Sequence, residues 1–356
     1  MDKKEIEKSI EKTVLKMAIE PTNTDLYHEL AKYYAMEEQY EKVISVYESL
    51  LNLSPQDPQA LLNLGSIWFY AKDYKKALKY FDEAVVVNPS NYIVYYNLGN
   101  TYAEMKNFSK ALHYYTRTLD FNAKEPEVYN AIALLYHDFE DYVEAKAYYE
   151  KALSLDVNNV AALVDLGNVC YKLFEYSQAL EYYKRVFKLA PDNKTVALCL
   201  ANTYSILKDK KNAYSYFEKS LKLDGDNYRT YICYAIAASD FQEYDLAVEI
   251  YKKAINLNPN EVNAYILLGN LYSNINKYDC AEEQYKSALK INKMDPSIYV
   301  LLANIYFMNN DIERSIYAYR AAVNLRPEND EYKLVFIQVL EDYIAENRKG
   351  DLIANF

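Results

Sequence analysis

PQALLNLGSIWFYAKDYKKALKYFDEAVVVNPSN, residues 58–91, carries apolar residues in two blocks. Leu61, Leu64 and Trp68 form the first, and Ala77, Phe81 and Ala84 the second. Both blocks run at three- and four-residue spacing, the period of one helix face. Asp73 and Tyr74 mark a turn between them, and Pro58 and Pro89 bracket the pair. Proline suits the first turn of a helix or the chain just past its end, and breaks an interior. The stretch therefore predicts two antiparallel helices joined by a short turn. One such hairpin cannot bury its own apolar stripe, so it needs neighbours of the same kind.

The neighbours are present at a period of 34 residues. Pro21, Pro55, Pro89, Pro191, Pro259 and Pro327 share one slot of that period, and Pro58, Pro126 and Pro296 share another, three residues later. Gly65, Gly99, Gly167 and Gly269 share a third slot, which Ala31, Ala133, Ala201, Ala235 and Ala303 fill elsewhere. Nothing larger than a methyl group stands there, which predicts a close approach of two helices. The repeats start at Thr24, Pro58, Tyr92, Pro126, Val160, Lys194, Tyr228, Val262 and Pro296, and the ninth ends at Asn329 without an insertion or deletion. Tyr265, Leu268, Gly269, Tyr272, Tyr278, Ala281, Tyr285 and Ala288 show the pattern again in the eighth.

This pattern resembles the tetratricopeptide-repeat family, whose motif is W-x2-L-G-x2-Y, then A-x3-F, then P. The resemblance covers residues 24–329 and implies an all-α fold, a right-handed superhelical solenoid of nine helix-turn-helix repeats. Residues 1–23 read as an N-terminal capping helix, a partial repeat with Ile6, Ile10, Val14 and Met17 on one face. Residues 330–346 read as a C-terminal capping helix carrying Leu334, Phe336, Ile337, Leu340 and Ile344, and 347–356 as a tail. That last helix either solvates the end of the array or joins it to a second copy.

In the family the first helices line a concave groove. The resemblance thus implies inward residues at the second, fifth, sixth, ninth, twelfth and thirteenth slots of each repeat. The ninth slot holds Asn100, Asn168, Asn202, Asn270 and Asn304, and the sixth holds Asn63 and Asn97. Asparagine is a mediocre helix former, so its recurrence mid-helix needs a reason. One reason is a ladder of amides that bond an extended peptide backbone, similar to the groove of O-GlcNAc transferase repeats; the other is bonding to neighbouring helices or water. Ile232, Ile266 and Val300 at the fifth slot and Leu267 at the sixth form an apolar strip, which either takes a partner helix or is covered by the chain itself. Tyr96 and Asn130 also stand at the fifth slot.

Charge adds a third feature. The fourth repeat carries Glu127, Asp138, Glu140, Asp141, Glu144, Glu150 and Asp156 against only Lys146 and Lys151. Glu127 and Asp138, with Asp165 beside them, would face the groove and favour a basic segment, or would be a solvated acidic surface. The chaperone-binding members of the family grip a carboxylate with a clamp whose first lysine falls at the fifth slot. None of the nine fifth-slot residues here is lysine, which argues against a co-chaperone role.

The net charge of -11 disfavours a phosphate backbone as partner, so RNA binding stands only as a distant alternative. The start is charged and unlike a secretory signal, and no apolar run is long enough to span a bilayer. The four cysteines form no CxxC and the three histidines lie in different repeats. These features predict free thiols in a reducing, cytoplasmic setting, no metal, no cofactor and no catalytic constellation. The expected function is a scaffold or adaptor that binds a peptide or helical segment of another protein. The alternative is a structural protein that self-assembles through its terminal helices.

Overall fold

The computed structural model describes residues 2–225 and 227–354, with side chains through 345. Twenty α-helices and no strand occur among the described residues. The chain divides into two compact units, Met1–Leu189 and Ala190–Phe356. In the first, α1 (Lys3–Ile19) precedes five hairpins: α2 (Thr24–Met36) with α3 (Tyr40–Leu53), α4 (Pro58–Tyr70) with α5 (Tyr74–Val87), α6 (Tyr92–Glu104) with α7 (Phe108–Phe121), α8 (Pro126–Asp138) with α9 (Tyr142–Leu155), and α10 (Val160–Lys172) with α11 (Tyr176–Leu189). The second holds four: α12 (Lys194–Ile206) with α13 (Lys210–Asp224), α14 (Tyr228–Asp240) with α15 (Tyr244–Leu257), α16 (Val262–Asn274) with α17 (Tyr278–Ile291), and α18 (Pro296–Met308) with α19 (Ile312–Leu325). α20 (Asp330–Ala354) follows and continues through residues 347–354, where the sequence suggested a tail; residues 355–356 lie outside the described residues.

Each first helix begins at the residue where the period placed a repeat start. The caps give the local reason. Asn23, Asp57, Asn91, Asn159, Asn193, Asn227 and Asp295 each precede a first helix, and their side-chain oxygens accept from a backbone N–H of its first turn. That satisfies donors which have no partner inside the helix. Two residues past each first helix stands a left-handed residue: Glu38, Lys72, Lys106, Glu140, Phe174, Lys208, Gln242, Asn276 and Asn310, all at positive φ. One residue of this kind reverses the chain tightly enough for the second helix to fold back.

Inside a hairpin the small slot faces an aromatic ring of the second helix. A Cβ built on Gly65 would lie 2.5 Å from the Phe81 ring, and one on Gly99 2.5 Å from Tyr115. Rings from the two helices also stack, as Tyr102 does on Tyr114 with centroids 5.4 Å apart, and Tyr204 on Tyr216 at 5.5 Å. Tyrosines at the fourth slot, Tyr27, Tyr95 and Tyr265, donate their hydroxyls to the carbonyls of Pro21, Pro89 and Pro259 in the joint before them. The abundance of tyrosine follows: a large ring fills each joint, and its polar end still finds a partner.

α1 packs against α2 through Ile6 and Thr13, both buried, whereas Val14 is exposed. α20 packs on α19 through Val339 and leaves Leu334 68% and Ile337 50% exposed.

Candidate functional site

Within the first unit, α4 is in contact with α6, and α6 with α8, so the first helices of successive hairpins run side by side. Their common face holds a cavity of about 470 Å³. Tyr96, Asn100 and Glu104 of α6, Glu127, Asn130, Leu134 and Asp138 of α8, and Asp165 of α10 line it, with Phe69 of α4 at one side. Tyr115 is the one second-helix residue that lines it. Six residues singled out from the sequence, Tyr96, Asn100, Glu127, Asn130, Asp138 and Asp165, thus meet in one place. Glu104 and Phe69 stand at the thirteenth and twelfth slots, so the slot rule contained them although the charge and amide patterns did not. Lys106 enters from the turn after α6 and pairs with Asp138 at 3.3 Å; no inward slot pointed to it.

Asn63 lines a different cavity of the first unit, about 990 Å³, with Lys32, Ser66, Ile67 and Tyr70. Asn97 is half-buried on α6 and lines neither.

The amides have a structural partner. Asn100, Asn168 and Asn270 accept from the hydroxyls of Tyr115, Tyr183 and Tyr285 at 2.8, 2.8 and 2.7 Å, and Asn304 accepts from Tyr319. Each tyrosine stands fifteen residues further on, in the second helix of the same hairpin. Asn63 donates instead to Tyr47 of the preceding hairpin at 2.7 Å. Asn202 has Phe217, which offers no hydroxyl, fifteen residues on, and it interacts with the Cys233 thiol, which burial pushes up in pKa. In Asn100, Asn168, Asn270 and Asn304 the side-chain oxygen is therefore occupied by a buried phenol, and the amide N–H groups are what these four can still offer.

The apolar strip lies in the second unit and is less exposed than its composition suggested. Ile232 is only 8% exposed, where α14 is in contact with α12 and leaves little room for solvent. This corrects its place in an open strip. Ile266, Leu267 and Val300 are half-buried, as is Asn270, and Asn304 is exposed.

Two groups in the first unit stand out electrostatically. Burial pushes the Asp165 carboxyl up in pKa, against a smaller opposing pull from His137. Tyr149 of α9, 1% exposed, has a hydroxyl with no hydrogen-bond partner, and burial followed by Asp165 and Asp138 drives its pKa upward. The Asn130 Oδ1 is likewise buried and unpaired. The four cysteines are free, and burial moves the Cys170 thiol up to about 11. Among the described residues no group of three or more His, Cys, Asp or Glu is arranged to hold a metal ion, and no helix is long and apolar enough to cross a membrane.

Models described as "Tetratricopeptide repeat" match residues 24–67, 58–91, 92–124, 125–192, 200–227, 238–305 and 296–329. No curated protein matches the chain. Among solved structures, a tetratricopeptide repeat protein from Parabacteroides merdae is similar over 71% of this chain and 100% of its own, with TM-score 0.56 and 18% identity. The C-terminal part of a repeat protein from Cytophaga hutchinsonii is similar over 67% of this chain and 97% of its own, with TM-score 0.54 and 16% identity. At such identities the likeness speaks for the fold alone.

Proposed function

The chain belongs to the tetratricopeptide-repeat family, and on that premise we propose that it is a scaffold whose first-helix face holds a segment of a partner protein. One observation carries the reading: six residues chosen from slot position, amide recurrence and charge line a single cavity between side-by-side first helices. A standard interface engages roughly 20–30 residues a side. The inward slots of either unit provide enough surface for a short extended or helical segment. The half-buried strip of Ile266, Leu267 and Val300 is the matching surface in the second unit.

Alanine at Asn168 or Asn270 is a poor test, because it would strip a buried tyrosine of its acceptor and loosen the hairpin. Photo-crosslinking avoids this. Benzoylphenylalanine at Asn97 or Val300 should capture a discrete partner in the native cell, and at Lys79 or Lys286, on the exposed faces of second helices, it should not. Equal capture from both faces would defeat the proposal.

The exposed Leu334 and Ile337 of α20 favour a second reading, self-association through the last helix. Light scattering should then show a dimer that Leu334→Lys with Ile337→Lys converts to a monomer. A monomer at high concentration in the parent would exclude it.

A further inference from the structure

We propose that the inner face of α16, α18 and α20 docks a basic amphipathic helix of the partner. This deepens the reading of the first-helix face and rests on it.

A strip of apolar residues carries the proposal, because it does not stop at the ninth hairpin. Ile266, Val300 and Leu334 follow one another at 34 residues in the fifth slot, and Leu267, Leu301 and Val335 do so in the sixth. α20 starts in phase, at Asp330, 34 residues after Pro296. It packs on α19 as α18 packs on α17 and α16 on α15. Its inner slots therefore continue those of the two hairpins before it. The strip also opens along its length. Ile232 is 8% exposed, Ile266 and Val300 are half-buried, and Leu334 is 68% exposed. Phe307 and Met308, at the twelfth and thirteenth slots of α18, are exposed on the same face, Met308 by 64%. A helix that only solvates an array carries polar residues at such positions. Large apolar side chains left in water along one continuous face mark an interaction site.

The form of the occupant follows from the groove. Asn270 and Asn304 already accept from Tyr285 and Tyr319, so an extended backbone finds few free acceptors there. A helix bonds its own backbone and needs only a surface for its apolar side chains. Neighbouring helix axes lie ~8–10 Å apart, so a segment crossing three of them covers roughly 20 Å, the length of about 13 helical residues. Charge then selects the sign. The inward slots of the three helices hold Glu331, Glu341 and Asp342, all exposed, and no lysine or arginine. Lys333 stands outside those slots and is held by Asp330 at 3.0 Å. Carboxylates beside an apolar strip favour a helix whose apolar face is flanked by lysine or arginine, and reject an acidic one. The strip makes the site, and the carboxylates choose between partners.

Two synthetic helices of about 14 residues test this. Both carry leucine along one face, and the other positions are lysine in one and glutamate in the other. Each is titrated into the full chain and followed by fluorescence anisotropy and NMR. The lysine helix should bind saturably and shift the amides of Val300 and Leu334. The glutamate helix should bind at least about tenfold more weakly, a 1.4 kcal/mol difference. Leu334→Asn with Val335→Asn should weaken the lysine helix about tenfold without a change of charge. Both side chains are exposed, so this variant should melt with the parent. Glu341→Gln with Asp342→Asn should narrow the preference for lysine over glutamate about threefold. Ile337→Asn with Ile344→Asn alters another side of α20 and should leave binding unchanged. Binding that survives Leu334→Asn with Val335→Asn would mean that charge alone holds the peptide to an acidic chain, and would overturn the proposal. Equal or tighter binding of the glutamate helix, loss of binding through the Ile337 pair alone, or no saturable binding at millimolar peptide overturns it too. A parent dimer that Leu334→Asn with Val335→Asn dissociates would put a second copy on the strip, with the same consequence. Crosslinks to another protein from Asn97 or Val300 together with any of these outcomes would remove the basic helix and leave the first-helix reading standing.

Discussion

At the residue scale, the asparagines of the ninth slot do a structural job that the sequence shows only in part. Their recurrence is plain from the period, but their oxygens turn inward, to tyrosines of the same hairpin. The pairing was present in the sequence: four of the five stand fifteen residues before a tyrosine, and Asn202 stands before Phe217. Asp165 shows the opposite balance. Its carboxyl is desolvated and its folded pKa lies above the ordinary 3.8. The native state therefore holds more proton than the unfolded chain as pH rises from that value to the folded one. Stability falls through that window and is level above it. Asp165→Asn should make the protein more stable at pH 7, with the gain shrinking as pH drops towards 3.8. Denaturant unfolding of parent and variant at pH 7 and pH 4 checks it; a variant less stable at pH 7 would refute the account. A residue that costs stability on the inner face is the kind kept for binding.

At the element scale, helix starts and lengths were legible because proline, the small slot and the aromatic slots constrain residue type at fixed offsets. The turn inside the hairpin was not. Its left-handed position holds Glu38, Lys72, Lys106, Glu140, Phe174, Lys208, Gln242, Asn276 and Asn310, chemically unrelated side chains that share only a positive φ. Since backbone geometry and not side-chain packing selects that position, it leaves little mark on composition, and Lys106 could not be placed beside Asp138 from the sequence. The left-handed region costs a residue with a Cβ ~1–2 kcal/mol, which glycine avoids while adding ~0.4–1 kcal/mol of unfolded-state entropy. Gln242→Gly, at φ 62 between α14 and α15, should thus stabilise by about 0.5 kcal/mol, read as a higher denaturant midpoint at unchanged slope. Asn276→Gly should gain less, because asparagine tolerates this region. A loss at Gln242 would mean that its side chain makes a contact worth more than the strain.

At the scale of the whole molecule, an array of this kind transmits a defect only through its neighbours. Within the first unit α4 is in contact with α3, α5 and α6, and α8 with α6, α7 and α9. Gly65 sets how closely α4 and α5 approach, with the Phe81 ring 2.5 Å from where a Cβ would stand. Gly65→Ala asks for a small shift, and the same slot holds alanine, fully buried, in the hairpin of Ala133. Gly65→Leu asks for far more and should cost ~1–3 kcal/mol through overpacking. The loss should be local: amide exchange should accelerate most in α3 to α6 and least in α9 to α11, because no shared core carries the strain further. Uniform acceleration across the first unit would instead mean that its five hairpins open as one cooperative body. In that case a bound segment lying along several first helices would feel the substitution wherever it sat, and inner-face residues far from Gly65, Asp165 among them, would lose affinity in step with those nearby.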